Sequence, residues 1–313
     1  MTRQPQYRRP PRRKVDGILL LDKPVGVSSN TALQHVKRLY NADKAGHTGT
    51  LDPRASGLLP ICLGEATKFA HLLLDADKAY VATLRLGITT TTGDAEGDVV
   101  LERPLSATRE ALAALLPRFT GRIAQRPPRH AALKYQGRNY YEYAREGIEI
   151  PRVERPVDIH DIVIVAWSPP EATLAIRCGK GTYVRVLAED LGEALGCGAH
   201  LSALRRTATG AFDLVSAIAL DALGELELAD RDRRLLPVDA GCAALPRIDV
   251  AQREIVAFRN GQAIARVGLA DGAYRSYVEG VFAGVAHAAA GMLQPRRLVA
   301  AQGSDTPTES LES

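Results

Sequence analysis

Apolar and polar positions along the chain mark out a run of short elements. Residues 15–22, VDGILLLD, are almost continuously apolar and predict a buried strand. Lys23-Pro24-Val25-Gly26 follows as a turn, with proline setting φ and glycine free to take positive φ. Ser28 or Ser29 caps a predicted helix over about 30–41, with Leu33, Val36 and Tyr40 on one face. Residues 45–57 are a loop of Gly, Thr, Ser and Pro that runs into an apolar strand over 58–63. A helix is predicted over 65–74 and an alternating strand over 78–86. Ser106 or Thr108 caps a helix to about 117, with Glu110 in its first turn, and 139–146 predicts another short helix. The alternating stretches 156–167 and 171–178 form a hairpin through Ser168-Pro169-Pro170. A helix over 183–195 carries Val186 or Leu187, Leu191 and Leu195 as its apolar stripe, and 200–213 reads as basic and extended.

Strands and helices are interspersed without a strict βαβ rhythm, which predicts an α+β fold with a mixed sheet. Composition shifts near Leu236–Leu245, ahead of Pro246. This predicts a main domain over 15–243 and a small β-rich domain over 244–301 with one helix near 250–259. Residues 1–14 are rich in Arg, Pro and Gln and 302–313 are polar without core positions, so both read as disordered tails. No internal repeat stands out.

Composition excludes several classes. The chain has 313 residues, 46% hydrophobic and 24% charged, enough to bury a sizeable core. No apolar run is long enough for a membrane span, and the basic start is not followed by a secretory pattern, so a cytoplasmic location is expected. Cys62, Cys178, Cys197 and Cys242 are widely spaced without a C-x-x-C pair, and read as reduced, mostly buried thiols. The seven histidines are scattered too, so no metal is expected. The net charge of +4 is mildly basic. It permits a polyanionic partner, although a solubilising tail and solvated faces account for it as simply.

The most informative stretch is Gly46-His47-Thr48-Gly49-Thr50-Leu51-Asp52-Pro53, which sets one carboxylate in a Gly- and hydroxyl-rich loop before an apolar strand. Pro53 restricts Asp52 to extended backbone. On these residues alone, Asp52 capping a turn is the simpler reading.

Five segments in order change that reading: ILLLDKPVGVSS (18–29), GHTGTLDPRASGLLP (46–60), KAYVATLRLGITTTTGDAEG (78–97), QRPPRHAALKYQGRNYYEYAREG (125–147) and CGKGTYVRVLAEDLGEALGCGAHLSALRR (178–206). Together they resemble the bacterial tRNA pseudouridine synthase B family (TruB) across about residues 15–215. The resemblance implies a pseudouridine synthase catalytic fold with a mixed, mainly antiparallel sheet, an RNA-facing insertion at about 125–150, and a small PUA-like RNA-binding domain at the C-terminus. It implies isomerisation of the T-loop uridine of tRNA, position 55, and the insertion argues for a stand-alone enzyme; a monomer is expected by default. Asp52 falls on the nucleophile, Arg185 on its arginine partner, and Tyr80 on the tyrosine that stacks on the uracil and takes part in proton transfer. His47 falls on the histidine that contacts the RNA, Tyr183 and Leu204 on substrate-pocket positions, and Lys23 on a supporting position in the opening motif. Alternatives are a guide-RNA-dependent relative and a tRNA-folding chaperone without catalysis. The run PPRHAALK departs from the family's PPxYSALK-like pattern at His130 and Ala132.

The chemistry suits these residue types. Uridine isomerisation breaks the N1–C1′ bond and joins C5 to C1′ with no redox step, so no cofactor is required, and Gly179-Lys180-Gly181-Thr182 lacks phosphate-loop spacing. A guanidinium such as Arg185 is expected to hold Asp52 ionised by lowering its pKa, through a bidentate contact. Arg12, Arg13, Arg126, Arg129, Lys134, Arg205 and Arg206 are candidate phosphate contacts.

Overall fold

The computed structural model describes residues 11–300. The tail expected over 302–313 and most of that over 1–14 lie outside the described residues. The elements are β1 (Gly17–Lys23), α1 (Ser29–Leu39), β2 (Ala45–His47), β3 (Ala55–Leu63), α2 (Ala70–Asp75), β4 (Lys78–Leu86), β5 (Ile88–Thr90) and β6 (Val99–Glu102). Then come α3 (Arg109–Leu115), β7 (Gly121–Gln125), β8 (Lys134–Tyr135), β9 (Arg138–Asn139), α4 (Tyr140–Arg145), β10 (Arg155–Ser168), β11 (Glu171–Cys178) and α5 (Val184–Ala194). After them lie β12 (Ala199–Thr209), β13 (Phe212–Asp213), β14 (Ile218–Ala219), α6 (Leu220–Glu225) and α7 (Leu228–Arg233). The chain closes with β15 (Arg247–Asp249), α8 (Ile255–Arg259), β16 (Ile264–Ala265), β17 (Gly272–Val278), β18 (Val281–Ala289) and β19 (Met292–Leu298).

Two compact units divide between Leu236 and Pro237. This packing division falls just ahead of the expected 243/244 boundary. The reason is local: Leu236 bridges to Ile18 of β1, whereas Asp239 accepts a 2.6 Å hydrogen bond from the Tyr277 hydroxyl of β17. Residues 238–242 thus belong to the second unit.

The first unit is built on a ten-stranded sheet of order β14-β1-β3-β12-β4-β11-β10-β7, with β2 on β3 and β13 on β12. The β1–β14 and β12–β3 pairs are parallel and the rest antiparallel, as the mixed, mainly antiparallel expectation required. Two apolar clusters lie on it. One gathers Leu84, Leu174 and Ile176 of the strands against Leu112 of α3 and Leu187 and Leu191 of α5. The other gathers Leu19, Leu21, Leu59 and Ile61 against Leu33 and Val36 of α1 and Leu223 of α6. Tyr80 and Leu204 pack against both clusters, so they stand at the seam.

Two local details shape that seam. Ser28 caps α1, its Oγ accepting from the Thr31 N–H at 3.0 Å. Ser29 instead reaches the loop before β3, donating to Leu51 O at 2.9 Å and accepting from Leu51 N–H at 2.8 Å. Gly57 is a close approach of β3 to β12: at φ +100°, a Cβ there would stand 2.2 Å from Arg206 O.

The second unit carries a five-stranded sheet of order β15-β17-β18-β19-β16 over a core that includes Phe258, Tyr274, Ala286 and Leu293. Its predicted helix over 250–259 is shorter, a 3₁₀ turn at Gln252–Glu254 followed by α8. The four cysteines are buried. Among the described residues no helix is long and apolar enough to cross a membrane.

Candidate active site

Strand β3 places the loop that carries Asp52. One edge pairs with β1 over Gly57–Leu63. The other edge is divided, β12 taking Ala55–Gly57 in parallel and β2 taking Ile61–Leu63. Residues 48–54 leave β2 and return to β3 within this division, so Asp52 emerges where the sheet opens. The loop is pinned from below. Lys23, 0% exposed, donates from Nζ to Val27 O at 2.6 Å, Pro24 O at 2.8 Å and Pro53 O at 3.5 Å. Arg206, 1% exposed, donates from Nε to Leu58 O at 2.7 Å and from Nη2 to Gly49 O at 3.1 Å.

A cavity of about 300 Å³ opens above the seam. Asp52, Tyr80, Tyr183, Arg185 and Leu204 all line it, so five of the seven sequence-predicted residues meet there. Lys23 and His47 do not. Lys23 lies under the loop and cannot touch a substrate while fully buried, so its role is to position the turn at 24–27 and Pro53. His47 ends β2 opposite Ile61, half-buried, with its Nδ1 buried and without a hydrogen-bond partner among the described residues. Burial and the Arg206 charge lower its pKa, which favours the neutral imidazole.

Arg185, in the first turn of α5, organises the charges. Its side chain is 7% exposed and its Nε stands 3.1 Å from Asp52 Oδ2. The fork is not bidentate on Asp52, contrary to the expectation. Nη1 donates to Thr92 O at 3.3 Å and lies 3.7 Å from Asp94 Oδ2, while Nη2 donates to His130 O at 3.0 Å. Two carboxylates and two carbonyls thus share one guanidinium.

A second expectation is overturned at the same carboxylate. The pKa of Asp52 is raised above the ordinary carboxylate value, not lowered. Burial is the largest cause, opposed by Arg185, reinforced by the second carboxylate on Asp94, and opposed again by Lys23 and His130. With its side chain 41% exposed, Asp52 still faces open space on one side, the side a substrate would enter.

Tyr80 lies on β4 between Ile176 of β11 and Arg206 of β12. Its ring is both part of the core and a wall of the cavity, so the two readings of an alternating-strand tyrosine hold together. Its hydroxyl pKa is raised by burial, against the opposing pull of Arg206, so the phenol stays protonated. Tyr183 immediately precedes α5, and its pKa is likewise raised by burial.

Sequence reasoning missed Asp94, although it lies in the 78–97 segment. Its Oδ1 accepts from Thr92 Oγ1 at 2.6 Å and from Glu96 N–H at 3.0 Å, an Asx-type turn that fixes Oδ2 toward Arg185. Reasoning also misplaced Arg206 among the phosphate contacts. Strand alternation held the signal, since adjacent Arg205 and Arg206 must face opposite sides of β12 and one of them must point inward. Arg205 does face outward, pairing with Asp22 at 2.6 Å. Arg13 is also committed, to Asp232 at 2.6 Å. Arg126 and Arg129 stay on the surface in exposed pairs with Glu154 at 3.2 Å and Glu149 at 2.6 Å.

Among solved structures, a chain of a Cbf5–Nop10–Gar1 complex aligns with a TM-score of 0.68 at 26% identity, covering 87% of this chain and 78% of that one. A chain of an H/ACA RNP bound to a substrate RNA containing 2′-deoxyuridine aligns with a TM-score of 0.67 at 25% identity, with the same coverage. Residues 37–184 match the family described as "TruB family pseudouridylate synthase (N terminal domain)". Residues 185–242 match "tRNA pseudouridylate synthase B C-terminal domain", and 246–299 match "Pseudouridine synthase II TruB, C-terminal". The tRNA pseudouridine synthase B of Azoarcus sp. (strain BH72) is 54% identical over 295 residues, 94% of this chain and 98% of that protein. That of Thiobacillus denitrificans is 53% identical over 293 residues, 93% and 98% respectively. The chain belongs to the TruB family.

Proposed function

We propose that the protein isomerises uridine to pseudouridine in the T-loop of tRNA, at position 55, as a stand-alone monomer in the cytoplasm. The observation that carries this reading is the Asp52 carboxylate held 3.1 Å from Arg185 Nε at the wall of a cavity shared with the Tyr80 ring. Ionised Asp52 acts on the sugar–base unit and the N1–C1′ bond breaks. The uracil turns within the cavity, C5 bonds to C1′, and the C5 proton is lost while N1 gains one. Flipping the uridine out of the RNA costs a few kcal/mol. Stacking on Tyr80 returns about 1–3 kcal/mol of it. Leu204 and Tyr183 close the sides of the cavity, and His47, ahead of the same loop, meets the RNA around the vacated base.

The second unit supports tRNA binding as a PUA-like domain. Arg247, Arg275 and Arg297 stand in one cross-strand row, through the Arg247–Arg275, Arg275–Val285 and Val285–Arg297 pairs. Arg247 is paired with Asp249 at 2.7 Å in an exposed contact that a phosphate can displace, so the row suits a phosphate backbone. A purely binding protein has no use for a buried guanidinium shared between Asp52 and Asp94, which favours catalysis over chaperoning alone.

The test is release of tritium from C5-labelled uridine in an unmodified tRNA transcript by the purified protein alone. Wild type turns over, and Asp52→Asn loses roughly 10⁴-fold or more in rate. Equal rates for the two would sink the assignment, and activity that appears only with added guide RNA or protein partners would sink the stand-alone reading.

A further inference from the structure

Gln125 is the last residue of β7 and the root of the 126–154 segment that leads to β10. It is 2% exposed. Its amide closes a ring on one backbone residue: Tyr183 N–H donates to Gln125 Oε1 at 3.0 Å, and Gln125 Nε2 donates to Tyr183 O at 3.3 Å. Both faces of a buried amide are therefore spent on the residue that opens α5, two positions before Arg185. A second link joins the same segment to the same arginine, since His130 O accepts from Arg185 Nη2 at 3.0 Å. The contact uses the main chain, so it survives whatever side chain stands at position 130.

We infer that Gln125 is a positioning residue for the reaction, setting the start of α5 against the root of the insertion so that Arg185 Nε meets Asp52. The inference rests on the proposed uridine isomerisation and deepens it: the insertion aligns the catalytic charges as well as holding RNA. The physical reason is lever length. Arg185 meets Asp52 at Nε, 3.1 Å from Oδ2, so a small displacement of residues 183–185 weakens that contact while the Thr92 and His130 carbonyls still hold the rest of the fork.

The experiment uses the full chain carrying Gln125→Met, which keeps length and removes both hydrogen bonds, and Gln125→Glu, which keeps an acceptor for the Tyr183 N–H and loses the donor. Single-turnover tritium release is measured across the acid range, with tRNA affinity and near-UV circular dichroism alongside. Gln125→Met is expected to lower the rate by roughly 10- to 100-fold with tRNA affinity unchanged. The acid limb of its pH profile moves to higher pH, because Asp52 loses part of the arginine that opposes its raised pKa. Gln125→Glu falls between Met and wild type. Variants that match wild type in rate and limb overturn the inference. So does a rate loss with an unmoved limb, or loss of the fold in both variants, either of which would make Gln125 merely structural. Wild-type protein that releases no tritium overturns the functional reading instead, and is distinguishable for that reason.

Discussion

The cavity wall and the 126–154 insertion use the same residue types to opposite ends. At the wall, Arg185 is almost wholly buried and spread over Asp52, Asp94 and two carbonyls. On the insertion, Arg126–Glu154 and Arg129–Glu149 are pairs with more than half of each side chain in solvent. Exposed pairs are screened and contribute about 0–1 kcal/mol, so a phosphate can displace the glutamate at little cost. A buried guanidinium cannot exchange partners without leaving charges unpaired in a poorly solvated place. One region is therefore set for geometry and the other for exchange, although sequence shows only arginines and acids in both.

Substitutions can break that contrast. The largest effect after loss of Asp52 itself is expected from Arg185→Lys, which keeps the charge and loses the fork: kcat falls on the order of 100-fold while tRNA affinity holds. The pH profile sharpens the same point. On the proposed mechanism Asp52 acts ionised, and its pKa is raised, so activity is expected to be lost as pH falls through that raised value. Arg185→Lys moves this acid limb upward, whereas Asp94→Asn, which removes the repelling carboxylate, moves it downward. A limb that stays fixed in both variants would refute the shared-guanidinium account.

Lys23→Met comes next, as a stability effect. It strips the donor from the Pro24, Val27 and Pro53 carbonyls and is expected to cost about 1–3 kcal/mol in denaturant unfolding. Burial lowers the Lys23 pKa from 10.5 to about 8. The unfolded chain thus holds more protons between those values, and wild-type stability rises with pH across that window. Lys78, lowered to about 8 in the same way, contributes a parallel rise, so Lys23→Met flattens the slope without abolishing it. An unchanged slope would show that Lys23 is not buried in its charged form.

Arg129→Ala should be the smallest effect on the fold, under about 1 kcal/mol. Its consequence lies in RNA binding: tRNA affinity drops modestly, and the log–log salt dependence becomes shallower by about one. A stability loss as large as that of Lys23→Met would place the pair in the wrong class.

Much of this was readable in the chain. The apolar run of β1, the alternation of β4, β10 and β11, the Thr108 cap and the stripe of α5 all depend on neighbours within one element, where periodicity and capping act. The motif segments named Asp52, Tyr80, Tyr183, Arg185 and Leu204, and the fold gathers those five at one cavity. Tertiary structure alone decided the rest. It sent Lys23 beneath the loop and turned Arg206 inward from an apparently basic pair. It added Asp94 and Gln125, and it raised the Asp52 pKa where an arginine neighbour alone would have lowered it. Periodicity is a property of consecutive residues, whereas desolvation and shared charge are sums over strands as far apart as β3, β7 and β12. Sequence could therefore name the actors at Asp52, and only the packed sheet could set the balance of forces on its carboxylate.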